Sequence, residues 1–122
     1  MMPEYLLPET VARQDGVGAV MNLEPDGSPW LLRLNITRIL EQESLEVTIS
    51  GSPDCEHWLP LAVFPRKFYC GTYSHWLDLT THPGVHYLRA EWKMSRWAPS
   101  NSGVLCAFSV LAEPAKVMHA GA

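Results

Sequence analysis

The sequence predicts an all-β domain, a two-sheet antiparallel sandwich of seven or eight short strands, from three observations. Apolar and polar residues alternate with period two through most of the chain, as they do in half-buried strands. Turn-forming residues recur about every ten positions, a spacing that suits a sandwich better than a barrel. No window sustains the i, i+3, i+4, i+7 spacing over three helical turns, and ten prolines limit helix length.

Taken in order, residues 1–15 carry Pro3 and Pro8 with little periodicity and read as an extended arm. In Trp30 to Thr37 the even positions are apolar, while Arg33, Asn35 and Thr37 point the other way. Ser44 to Gly51 repeats the pattern, with Leu45, Val47 and Ile49 inward. The connection Glu41-Gln42-Glu43 is short and charged, so these two runs are expected to pair as antiparallel neighbours. Ser52-Pro53-Asp54-Cys55 is a turn, because proline pre-sets φ and aspartate bonds backbone two residues on.

Leu59 to Phe64 resumes the sheet and Pro65 ends it. Phe68 to Tyr73 and Trp76 to Thr80 are two shorter strand candidates around Ser74-His75, and Thr81-His82-Pro83-Gly84 is a turn. Val85 to Trp92 places Leu88, Ala90 and Trp92 on one face. Lys93 to Ser102 reads as a polar loop, and Gly103 to Leu111 as a strand buried on both sides. Residues 113–122, opening on Glu113-Pro114, read as a tail, leaving 16–112 as the sandwich domain.

A chain of 122 residues suits one domain with one core, and at 47% hydrophobic residues it is too apolar for disorder. Nine basic residues against thirteen acidic ones give a net charge of −4, which argues against a nucleic-acid module that must replace phosphate counterions. No apolar run reaches the roughly 20 residues that span a bilayer as a helix. Met1 to Thr10 lacks a basic leader, so no signal peptide is expected and synthesis is expected to leave the chain in the cytoplasm. Cys55, Cys70 and Cys106 cannot all pair within one chain, and reduced thiols are the simplest reading.

Little of the sequence points to catalysis or a resident metal. Cys55 with His57, Cys70 with His75 and His82 with His86 invite a zinc reading, but only the last pair has ligand spacing, and it straddles Pro83-Gly84 ahead of a strand. No Gly-x-Ser-x-Gly elbow is present, and Gly16-Val17-Gly18 precedes a strand where a phosphate loop needs a helix. The expectation is a protein that is not an enzyme and carries no cofactor.

Aromatic residues give the richer signal. Trp58 and Trp92 are expected in the core, whereas Trp76 and Trp97 lie beside loops with Tyr73, His75 and Arg96. Those five form a candidate interface or ligand platform, since aromatics and arginine dominate contact energetics.

One longer pattern carries a resemblance. Leu45-Glu46-Val47-Thr48-Ile49-Ser50-Gly51-Ser52-Pro53-Asp54 leads to Trp58 and Phe64; Tyr87-Leu88-Arg89-Ala90-Glu91-Trp92 follows, and Phe108-Ser109-Val110 closes it. Over residues 30–111 this resembles small β-sandwich proteins of tailed-phage and prophage virion gene sets, in which a Ser-x-Asp-Gly-x-x-Trp turn precedes such strands. Carbohydrate-binding discoidin-like domains share that turn. Cys55 stands where the pattern has glycine, so a side chain must be tolerated where φ tends to be positive.

The resemblance implies a structural subunit that decorates or joins virion-like shells or tails. On that reading the chain forms homo-oligomers or larger assemblies through its sheet edges and arm. The alternative is a module binding a glycan or small molecule on its exposed aromatics.

Overall fold

The computed structural model describes residues 4–23, 29–97 and 103–114. Among them every regular element is a strand, as the sequence predicts: β1 Glu4–Ala12, β2 Gly16–Val17, β3 Met21–Asn22, β4 Trp30–Ile39, β5 Glu43–Ser52, β6 Leu59–Lys67, β7 Gly71–Leu77, β8 Tyr87–Arg96 and β9 Cys106–Pro114. They form two antiparallel sheets. One has the order β1-β9-β4-β7; the other runs β2-β8-β5-β6, with β3 also on β8.

The alternation read from the sequence places the core. Leu32, Leu34 and Ile36 of β4 face Leu45, Val47 and Ile49 of β5, and all six are buried while Arg33 and Asn35 reach solvent. Phe64, Leu88, Ala90, Phe108 and Val110 complete the interior. Cys106 to Val110 is buried at every position, as expected for the closing strand.

Strand pairing departs from the expectation in one important place. β4 and β5 do not pair; they lie in opposite sheets, β4 between β7 and β9, β5 between β6 and β8. The three-residue link Leu40-Glu41-Gln42 spans about 10 Å, which is the distance between packed sheets. It therefore arches across the sandwich, with Gln42 at φ 54° and its carbonyl accepting Trp97 N at 2.9 Å.

Residues 4–12 are extended but belong to the domain itself. β1 pairs with β9 from Glu4↔Ala112 to Ala12↔Cys106, and Leu6 and Leu7 enter the core. Burying two leucines contributes about 3–6 kcal/mol, so within this chain the segment is an edge strand of the sandwich. Thr37 Oγ1 donates to Glu9 Oε1 at 2.7 Å across β9. Next to it, Trp92 Nε1 donates to Gln14 O at 2.9 Å and Met94 N to Asp15 Oδ1 at 2.7 Å, pinning the link to β8.

Other boundaries move for local reasons. β6 continues through Pro65 to Lys67 because it is an edge strand, where proline loses no ladder bond. Instead of two strands around Ser74-His75, one strand, β7, runs through them; the break falls at Phe68-Tyr69-Cys70, where the chain changes sheets. β8 extends to Arg96 because Lys93–Arg96 pair with Glu43–Glu46, so the first four residues of the expected loop are strand, while 98–102 lie outside the described residues. Glu113 and Pro114, read as the start of a tail, are the end of β9 opposite Leu31 and Trp30; residues 115–122 are outside the described set.

Candidate functional site

The turn motif closes one end of the sandwich, between β5 and β6. Ser52 Oγ accepts Cys55 N at 2.8 Å and Asp54 N at 3.2 Å, and donates to Asp54 Oδ1 at 3.1 Å. Asp54 Oδ1 also accepts Glu56 N and His57 N, each at 2.9 Å, while Oδ2 lies 2.8 Å from His57 Nδ1. Those bonds favour the ionised form, so the His57 and then the Glu56 amide hold the Asp54 carboxyl far below the usual carboxylate range. Cys55 sits at φ 66°, the left-handed conformation expected from the missing glycine. Pro53 is exposed beside it.

Trp58 differs from the expectation of a core residue. It is half-buried at the turn's far end, with Nε1 donating to Cys55 O at 3.1 Å and the Arg89 guanidinium 4.0 Å from its ring centroid. The indole clamps the turn onto β8 through a cation–π contact. Trp30, 5% exposed, is the tryptophan the core takes in fully, while Trp92 packs edge-on to Phe108 at 5.5 Å.

Asp54, Glu56 and His57 bring their ligand atoms within 4.8 Å of one another, all on exposed side chains. Three ligands are one short of a structural zinc set, and the turn's own amides already occupy the Asp54 carboxylate. Among the described residues, Cys70, His75, His82 and His86 belong to no such group.

The opposite end of the sandwich holds an aromatic cleft. Phe68 and Trp97 meet edge to face, with ring centroids 5.8 Å apart, over an opening of about 520 Å³ that Ile39, Leu40, Gln42 and Cys70 also line. Tyr69 stands beside it, 75% exposed. Arg96 lies along the rim, its Nε 3.2 Å from Glu41 O and a guanidinium nitrogen 3.2 Å from Gly103 O. Its floor includes Glu43, expected in a charged connection and found 1% exposed. Glu43 accepts Leu40 N at 3.1 Å and Leu105 N at 2.8 Å, tying the arch and the approach to β9 together. Burial first, and then the Glu43 charge, push the Cys106 thiol up to about 12, which keeps it protonated and inert.

Tyr73, His75 and Trp76 lie on β7, and the structure divides them. Tyr73 and His75 turn inward: the Tyr73 hydroxyl donates to Tyr69 O at 2.7 Å under the Lys67 ammonium, and the His75 ring meets Phe64 at 5.9 Å. Trp76 turns outward, 61% exposed, opposite Leu31 on the outer face. The five residues expected to form one platform therefore occupy an inner face, an outer face and one end. Phe68 and Tyr69 replace Tyr73 and Trp76 beside Trp97. Their adjacency in sequence, two aromatics after Arg66-Lys67 and before Cys70-Gly71, was the available signal.

These features define a small antiparallel β-sandwich whose large exposed side chains sit on its edges and ends. Neither the protein-family models nor the curated protein sequences contain a match to the chain. Among solved structures, the SPBc2 prophage-derived protein YomS shares the fold, with a TM-score of 0.51 and 10% identity over 93% of this chain and 96% of that one.

Proposed function

We propose that this chain is a non-enzymatic structural subunit, of the kind that decorates or joins a virion-like particle, acting through protein–protein contacts at its sheet edges. One observation carries the reading. Tyr5, Tyr69, Trp76 and Trp97 are all more than half exposed, and they stand on the edge strands β1 and β7 or at the strand ends, where a neighbour would meet them. Large aromatics in such places are the usual anchors of protein interfaces.

Two further points support it. The groups best suited to chemistry have structural work: Asp54 organises a turn, Glu43 holds two backbone amides, and Cys106 is buried and protonated. The fold likeness to a prophage-derived protein agrees with the virion resemblance of the β5 turn and the β8 and β9 strands. Light scattering on the purified protein at rising concentration tests the proposal: a mass climbing above 13.7 kDa is expected, and a constant 13.7 kDa overturns it.

The cleft between Phe68 and Trp97 favours a second reading, a module that stacks a glycan or other planar ligand on aromatic rings. Trp97→Ala should then abolish ligand binding without changing the thermal midpoint.

A further inference from the structure

We propose that β7 is the docking edge of this domain and that its occupant is β7 of a second copy, paired antiparallel about Ser74 so that two four-stranded sheets become one of eight strands. This rests on the assembly reading above and names its partner and register.

The case begins with how the sheet margins differ. An edge strand offers unpaired backbone groups to any passing chain, and proteins blunt such edges with prolines, bulges, charges or very short strands. β1 carries Pro8 and two shifts of register against β9. β6 carries Pro60 and Pro65, Arg66 and Lys67, and two shifts against β5. The outer margin of β8 is covered by β2 and β3, of two residues each.

β7 has none of these devices. Its seven residues pair with β4 in unbroken register from Gly71↔Ile36 to Leu77↔Trp30, without proline, aspartate, glutamate, lysine or arginine. No strand among the described residues lies on its other side. One local cover exists, His75 Nδ1 at 2.6 Å from Trp76 O.

Charge and register favour a second copy as the occupant. A strand whose own side chains include no carboxylate, lysine or arginine gives a charged peptide little to pair with beyond the Lys67 ammonium over Tyr73, yet two such strands meet without like charges of that kind opposite each other. Pairing about Ser74 sets Tyr73 against His75 on the inner face and Thr72 against Trp76 on the outer, so each exposed indole covers a small residue. Each copy presents the same patch to the other, the isologous arrangement that closes on itself.

The edge is about 23 Å long. With the thickness of two packed sheets, the pair buries on the order of 1,000 Å² in all, at the lower limit for a specific interface. Interfaces this small belong to the weak, transient class, and the experiment is set around a dissociation constant on the order of 100 μM.

Sedimentation equilibrium from about 10 μM to about 1 mM, bracketing that constant, tests the pairing. Two double variants are needed, Thr72→Glu with Trp76→Glu and Thr72→Lys with Trp76→Lys, all at exposed positions. In the proposed register each variant places like charges opposite one another twice, so each alone should stay at 13.7 kDa. Their equimolar mixture places opposite charges together and should associate at least as well as the unaltered chain. If either variant associates alone as the unaltered chain does, or the mixture stays monomeric, the β7 pairing is wrong while the assembly reading survives. If the unaltered chain itself stays monomeric throughout, both fall.

Discussion

Replacing Glu43 with alanine should be among the most damaging single changes in this domain. The side chain is fully buried, and its two oxygens accept backbone amides from Leu40 and Leu105 at 3.1 and 2.8 Å. Alanine leaves both part-buried amides without their partner, at about 1–3 kcal/mol each. The expected loss is thus about 4 kcal/mol, or about 15 °C in thermal midpoint for a domain of this size. Glu43→Gln keeps one acceptor oxygen and should lose about half as much. Urea unfolding followed by tryptophan fluorescence measures both variants, with the slope unchanged if only stability moves. A loss under about 1 kcal/mol for alanine, or equal losses for the two variants, would refute the idea that these bonds hold the arch.

Other consequences are more local. Cys55→Gly removes a side chain from a φ of 66° and should raise stability by up to about 1 kcal/mol in the same unfolding assay; a loss would mean that the thiol makes a needed contact. Cys55 and Cys70 are exposed and Cys106 is buried, so a thiol-reactive dye at pH 8 should label two cysteines in the native protein and the third only on unfolding. Asp54 has a lowered folded pKa, so its contribution is present above the ordinary carboxylate pKa and is lost as pH falls through and below that range. Asp54→Asn should accordingly flatten the decline of thermal midpoint between about pH 5 and pH 2; an unchanged slope would assign that decline to other carboxylates.

The sequence made some of this fold legible and concealed the rest for physical reasons. β4 and β5 were readable because each has one face in the core, so Leu32, Leu34, Ile36 and Leu45, Val47, Ile49 alternate with polar residues. Their partners were not readable, because a short polar link serves equally for a hairpin and for an arch between sheets. β1 was concealed by Pro8 and two register shifts, which break the period while Leu6 and Leu7 still reach the core. β7 looked interrupted at Ser74-His75, yet an edge strand tolerates polar residues on both faces.

The same distinction holds at the candidate sites. The Ser52–Cys55 turn was legible, because its bonds join residues two or three apart. The Phe68–Trp97 pair and the burial of Glu43 depend on segments far apart in sequence, and no local pattern announces them.

Amide hydrogen exchange in β7, compared between dilute and concentrated protein, tests the β7 pairing most directly. The account expects exchange in Gly71–Leu77 to slow at high concentration while the turn at Ser52–Trp58 exchanges at an unchanged rate. Identical exchange in β7 at both concentrations would contradict it.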